Sequence, residues 1–406
     1  MNCPVCNSMN VTEVYERDNM PFGFFIPDGS NPVVFDLKIS LCRECLFAFQ
    51  ESAYNSPEYD QKFDEIYKNY RIMDKNLTPF PYEHGFSETM DFLTKDIEFS
   101  GINDVLEIGS NRGDLLYLLR QRHGHLNVIG LEPSRLDFVG VITVRYNFKP
   151  DLFSNKFDLI IMRHVLEHVK YPLKFLFDIK NCLSEGGLVF IEVPNLIRDL
   201  SDKIECFTPD HVNYFSAPAF MDISMRTQMN IRAIKDDPDS HLMVILENSG
   251  IMELKQGLCD ISAKGNLLLN KLDAYCRELD EMTKAIIDLV TKDGFKIIFY
   301  GSGNAFMWSF SKLKSGFESA HHDIMDHVLF CLDDSPSKAG KLMFNGIKIY
   351  DPSQMENINH DRVLAVLCSL NRGFIGKMRQ RIKEVNNTSI SDLRIFEPWK
   401  EMIRIR

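Results

Sequence analysis

From Asp104 onward, apolar positions fall into short unbroken runs separated by amphipathic stretches. VLEIG, NVIGLE, FDLIIM and GGLVFIEV each read as a strand. Strands covered on both faces are apolar almost throughout, whereas half-exposed strands alternate. Between the runs lie LLYLLRQR, after the turn SNRGD, and RHVLEHVKYPLKFLFDIKNCL, both read as helix. Strands alternating with helices predict an α/β fold with a parallel sheet and right-handed crossovers. IRAIKDD and HLMVILEN follow each other closely, which predicts an antiparallel hairpin closing the sheet edge.

Residues 251–291 lack turn signals and carry helical periodicity, which predicts a connecting helix. A second strand–turn–helix pattern then begins with FKIIFYG, SGN and AFMWSFSKLKSG. HVLFCLDD, GIKIYDP and RVLAVLCSL read as its later strands. Residues 1 to 60 are turn-rich and short of periodic apolar signal, so such a module needs a staple. Tyr59 to Thr94 looks helical but is interrupted by Pro79 and Pro81. The predicted organisation is a small N-terminal module (1–60), a Rossmann-like central domain (61–250), a helical connector (251–291) and a second Rossmann-like α/β domain (292–406).

A chain of 406 residues has room for two or three domains at roughly 150 residues each. Its 45% hydrophobic and 25% charged content is that of globular protein. A net charge of -11 argues against a nucleic-acid partner, which needs clustered basic residues. No basic-then-apolar leader opens the chain, and no apolar run approaches the roughly 20 residues that span a bilayer. The expectation is a cytoplasmic protein without a membrane partner, with a monomer favoured.

Four of the ten cysteines are paired, Cys3 with Cys6 and Cys42 with Cys45. Each Cys-x-x-Cys turn offers two thiolates, and two turns complete a tetrahedral zinc site with no open position for water. Zinc is therefore expected as a structural ion on Cys3, Cys6, Cys42 and Cys45. Two reactive thiol pairs are the other reading.

The turn VLEIGSNRGD places Glu107, Gly109 and Gly113 where a strand passes into a helix, and Glu132 ends the next strand. An acidic residue there accepts ribose hydroxyls. Glu107 repels a pyrophosphate but suits a cationic sulfonium ligand with an ammonium group. Together with HVLEHV, these residues resemble a class I S-adenosylmethionine-dependent methyltransferase; a nicotinamide site or an α/β domain without cofactor are the alternatives. The resemblance implies that Glu107, Gly109, Ser110 and Gly113 line the methionine end, that Glu132 takes the ribose, and that Arg163 and His164 lie under the sulfonium.

The whole arrangement is similar to the zinc-containing sugar C-methyltransferases. These act on 4-keto-6-deoxy sugars carried on thymidine diphosphate. Their C-terminal domain has a YG turn and a D-x-x-P-x-K-x-G segment, matched by Tyr300-Gly301 and Asp333 to Gly340. Their Tyr-x-Glu-His cluster before a YFS-like run is matched by Thr208 to Ser216. The histidine stands as His211, while Asp210 replaces the glutamate and Thr208 the tyrosine. His168 matches a further family histidine, and Tyr67 or Tyr70 an upstream tyrosine. The resemblance implies a nucleotide-sugar partner. It is expected between the methyltransferase domain and residues 292–406, because ligand clefts favour domain interfaces, with the glycine turn at Gly301 and Gly303 and with Lys338 as candidate phosphate contacts.

The implied chemistry follows from the substrate. A carbon beside a ketone loses a proton before it attacks a methyl sulfonium. A neutral histidine, His211, is a suitable base, with Asp210 fixing its tautomer and His168 in reserve. His211 could equally be structural, Gly301 to Asn304 a tight turn, and Lys338 a solvated loop residue. At the level of function the alternatives are O-methylation of a saccharide, a zinc-module RNA methyltransferase, and a non-catalytic S-adenosylmethionine-binding protein.

Overall fold

The computed structural model describes residues 1–22, 33–68, 85–133, 141–202, 206–237, 240–249, 261–343, 346–369, 372–384, 389–397 and 403–404. The N-terminal segment, read from sequence as turn-rich, holds two long strands, β1 (Val11–Phe22) and β2 (Val33–Cys42). Both are half-exposed, and frequent charged residues obscure their apolar spacing. The short β3 (Ala48–Gln50) leads into α1 (Glu51–Asn55) and α2 (Pro57–Lys68).

After α3 (Ser87–Asp96) come β4 (Asp104–Ile108), α4 (Asp114–Arg122), β5 (Asn127–Leu131), β6 (Ile142–Val144) and β7 (Phe157–Arg163). α5 (Pro172–Lys180), β8 (Leu183–Val193), α6 (Leu196–Asp202), β9 (Asn213–Tyr214), α7 (Ala217–Thr227), β10 (Asn230–Lys235) and β11 (Leu242–Glu247) follow. The order across the large sheet is β10-β11-β8-β7-β4-β5-β6. All neighbouring pairs from β8 to β6 are parallel, while β11 runs antiparallel between β8 and β10. The expected hairpin is present, but its second strand is inserted and its first forms the edge. This is a Rossmann-like, mostly parallel sheet of the kind expected for the central domain. Its core packs Leu93, Leu116, Leu119 and Phe190 around Val105 and Ile161.

The single helix read over residues 163–183 is a 3-10 turn at Leu166–His168 followed by α5. Pro172 is the reason, since proline is accepted in a helix's first turn and not inside it.

Beyond α8 (Ile261–Thr291), a second sheet is built from β12 (Lys296–Tyr300), β13 (Val328–Leu332), β14 (Ile349–Tyr350), β15 (Arg362–Leu367), β16 (Asp392–Phe396) and β17 (Ile403–Arg404). Helix α9 (Asn304–Ser319) follows β12, and α10 (Arg372–Glu384) follows β15. The order is β14-β13-β12-β15-β16-β17, parallel except for β17. A smaller sheet has the order β1-β2-β3-β9. The chain forms two compact units. The first comprises Met1–Tyr15, Lys38–Arg198 and His211–Leu269; the second comprises Glu16–Leu37, Asp199–Asp210 and Asn270–Arg406. Among the described residues no helix is long and apolar enough to cross a membrane.

Candidate active site

In the large sheet, β4 has β5 on one side and β7 on the other, so the strand order reverses there. Ligands of open α/β sheets bind at the carboxyl ends of the strands at such a point. Glu107, near the end of β4, is 3% exposed. Burial pushes its carboxyl pKa up to about 8 against the pull of Arg163. Its Oε2 and the Ser110 hydroxyl are buried without a hydrogen-bond partner among the described residues. Gly109 and Gly113 have φ of 73° and 86°, and Gly113 caps α4. The Asn111 amide donates to Glu132 Oε2 at 2.9 Å, which brings the end of β5 to the glycine turn. Buried acceptors around a left-handed turn fit a ligand carrying an ammonium group and hydroxyls.

At the end of β7, Arg163 lies in register with Glu192 of β8. Its guanidinium donates to both Glu192 oxygens, at 2.6 and 2.9 Å, and sits 4.5 Å over the Phe86 ring. Thr89 donates to Glu192 Oε2 at 2.7 Å, and His241 Nδ1 lies 3.1 Å from Oε1. Burial resists ionisation of Glu192, yet its His164, His241 and Arg163 hydrogen bonds hold its pKa far below the carboxylate range. His164 leaves β7 with φ 52° and places Nδ1 3.2 Å from Glu167 Oε1. Burial lowers its pKa, but Glu167 and Glu192 outweigh burial and raise it to about 9.

A histidine pair stands beside this network. The His168 and His211 rings are 5.0 Å apart and 65° inclined. One oxygen of Glu167 and one ring nitrogen of each histidine all lie within 4.8 Å of one another. The pair is half-exposed and the carboxylate buried. Two imidazoles over an ionised carboxylate can take up a proton and stabilise the resulting charge.

A methyltransferase-domain family model matches residues 76–232. The chain carries a methyltransferase domain. A tRNA U34 carboxymethyltransferase of Campylobacter fetus subsp. fetus (strain 82-40) is 26% identical over 123 residues, covering 25% of this chain and 43% of that protein. The chain thus spans less than half the length of that relative. An O-methyltransferase family protein from Burkholderia thailandensis is 11% identical with a TM-score of 0.33, over 41% of this chain and 57% of that one. An S-adenosylmethionine-dependent methyltransferase from Mesorhizobium loti is 13% identical with a TM-score of 0.31, over 39% and 96%.

The methyltransferase domain holds the glycine turn, the Arg163–Glu192 pair and the His168–His211 pair. Asp210, the carboxylate read beside His211, is half-buried in the turn preceding it, and Thr208 is buried. Tyr67 lies in α2, but its side chain and the whole of Tyr70 fall outside the described residues. Glu167, Glu192 and His241 are the participants that sequence reading passes over. Glu167 stands inside the HVLEHV motif, so its signal was visible; Glu192 and His241 join only through sheet pairing.

Two further clusters lie outside the family match. Cys3 Sγ is 3.6 Å from Cys45 Sγ, and Cys6 Sγ is 3.4 Å from Cys42 Sγ. All four sulfurs lie within 4.8 Å of one another, are not disulfide-bonded, and fit the donor set of a tetrahedral zinc ion. In the second unit, Gly301 has φ 100°, and a side chain there would meet the Cys368 carbonyl. Gly303 precedes α9. The Ser302 amide donates to Asp333 Oδ2 at 3.0 Å, and Lys338 Nζ reaches the same oxygen at 3.1 Å. Lys338 and Ser302, which stands between Gly301 and Gly303, thus meet at Asp333.

Proposed function

We propose that the chain is an S-adenosylmethionine-dependent methyltransferase of a nucleotide-linked sugar, methylating a carbon beside a keto group through an enolate. The observation that carries this reading is the His168–His211 pair over Glu167, next to the cofactor end of a methyltransferase domain. S-adenosylmethionine supplies an already activated methyl group, so the protein's tasks are alignment and removal of a proton. His211 removes the proton from the carbon, with His168 beside it. Glu107 faces the ammonium end of the cofactor, and Glu132 accepts from its ribose. The sugar class is supported by the resemblance of Thr208 to Ser216 and of Asp333 to Gly340 to the zinc-containing sugar C-methyltransferases. Gly301, Gly303 and Lys338 are the proposed nucleotide contacts. One structural zinc ion is assigned to Cys3, Cys6, Cys42 and Cys45.

The test is direct. General-base catalysis is worth about 100- to 10,000-fold, so His211→Ala should lower turnover on that scale while cofactor affinity stays. Incubating the wild-type chain with a keto-sugar nucleotide in deuterium oxide should wash deuterium into the carbon beside the ketone. Methyl transfer to an oxygen with no such wash-in would replace C-methylation by O-methylation. Turnover by His211→Ala within about threefold of wild type, far short of a general-base effect, would remove His211 from the chemistry.

A further inference from the structure

We propose that Glu167 is the positioning residue of the proton-abstracting pair, its buried carboxylate fixing the orientation and tautomer of His168 and His211. This inference rests on the reading of His211 as the base, and it gives Glu167 the duty that the sequence suggests for Asp210.

The backbone of Glu167 first sets where His211 lies. Val212 donates its amide to the Glu167 carbonyl at 2.8 Å. The Asn213 side chain donates to the carbonyls of Leu166 and Val169, at 3.0 and 2.7 Å, and itself accepts from the Tyr54 hydroxyl at 2.8 Å. The residues after His211 are therefore strapped across the 3-10 turn that carries Glu167 and His168. The two histidines, 43 positions apart in sequence, meet because of that strap.

The side chain of Glu167 lies under the meeting point. It is 1% exposed, and its Oε1 faces His164 Nδ1. Its Oε2 is buried and has no hydrogen-bond partner among the described residues. An ionised oxygen left unsatisfied in the interior is costly, and a small turn of either ring, whose nitrogens lie within 4.8 Å of a Glu167 oxygen, would bring an N–H to meet it. Burial favours the protonated acid, but His164, His168 and His211 hold the pKa down to about 2, so the group stays ionised at any working pH. Beyond His164, Glu192 is engaged by Arg163 and His241, while a Glu167 oxygen lies within 4.8 Å of both histidines of the pair. A ring that donates to a carboxylate through one nitrogen presents the other as a bare acceptor, the form a base needs.

The experiment uses the full chain and the isosteric change Glu167→Gln, beside Glu167→Asp and His211→Ala. Glu167→Gln should keep cofactor affinity and the sugar-nucleotide KM, lower kcat by about ten- to a hundredfold, a part of the general-base effect, and move the acid limb of the pH–kcat/KM profile to lower pH. Glu167→Asp, which keeps the charge, should recover much of the lost turnover and the wild-type limb. A Glu167→Gln chain with wild-type kcat and profile overturns the proposal. If His211→Ala is also fully active, the base reading fails; if only Glu167→Gln is active, this inference alone fails. Should the glutamine variant not fold, nitrogen-15 histidine spectra of the wild-type chain decide. His168 and His211 should each show one fixed tautomer, and an averaged tautomer signal overturns the proposal. The same three side chains could also ligate a cation. Elemental analysis showing a second metal equivalent, beyond that of the four cysteines and lost in Glu167→Gln, would replace positioning by metal binding.

Discussion

Glu107 is an acid that its own fold keeps protonated near neutrality. Its pKa of about 8 stands above the ordinary 4.5, mainly because of burial. The folded chain therefore holds a proton between those two values that the unfolded chain has released. Stability contributed through this group is present at acid pH and falls as pH rises through about 8. A cationic ligand facing Glu107 favours the charged form and expels that proton. Binding of S-adenosylmethionine at pH 7 should accordingly release a proton. Calorimetry in buffers of different ionisation enthalpy measures it. Glu107→Gln should abolish the release, and it should fade above the folded pKa. Binding enthalpies that agree across buffers would show that Glu107 does not face the ammonium group. This residue was legible from the sequence, because VLEIG followed by a glycine turn fixes both its strand and its end. Glu192 was not legible. Its partner Arg163 stands 29 residues away, and only the parallel register of β7 and β8 aligns them.

At the scale of elements, the glycine turn after β4 and the 3-10 turn after β7 are built against each other. A side chain on Gly109 would fall 2.6 Å from Cγ2 of Val165, one residue before the turn that carries Glu167 and His168. The left-handed φ of 73° adds its own penalty for any residue with a Cβ, about 1–2 kcal/mol. Gly109→Ala should therefore lower unfolding stability by at least that amount and weaken S-adenosylmethionine binding. Gly124→Ala, with open space around it, is the control. Adding Val165→Ala should relieve the steric part and leave the backbone part. Equal melting temperatures for the Gly109 and Gly124 variants would show that the turn tolerates a Cβ. The strands of this domain were readable because buried parallel strands are apolar runs. The broken helix at residues 163–183 was readable only in part. Pro172 marks where α5 starts, but nothing local dictates the 3-10 turn, which the docked residues 212–213 hold in place. The N-terminal strands escaped notice because half their positions face solvent and many carry charge.

On the scale of the first unit, the four cysteines and the proposed base belong to one continuous structure. Cys42 ends β2, and Cys45 leads within three residues to β3. β3 pairs antiparallel with β9, matching Ala48 to Tyr214 and Phe49 to Asn213. Ser216 donates to the Leu46 carbonyl at 2.9 Å, and Phe47 packs edge-on against Phe215 at 5.3 Å. The segment that follows His211 is thus the outer strand of the sheet that the cysteine cluster anchors. Zinc on this cluster would be structural in its chemistry and yet hold the base in place. Metal sites of this kind contribute their binding energy to folding, since the unfolded chain has no preformed site. Chelation should remove one zinc per chain and speed amide exchange in residues 211–216. Turnover should fall with it, while S-adenosylmethionine still binds, because the glycine turn lies on the large sheet. One equivalent of zinc should restore both exchange protection and turnover. Protein purified without chelator that holds no zinc would end the assignment. A zinc-free chain with wild-type exchange at those residues would instead show that the sheet alone fixes His211.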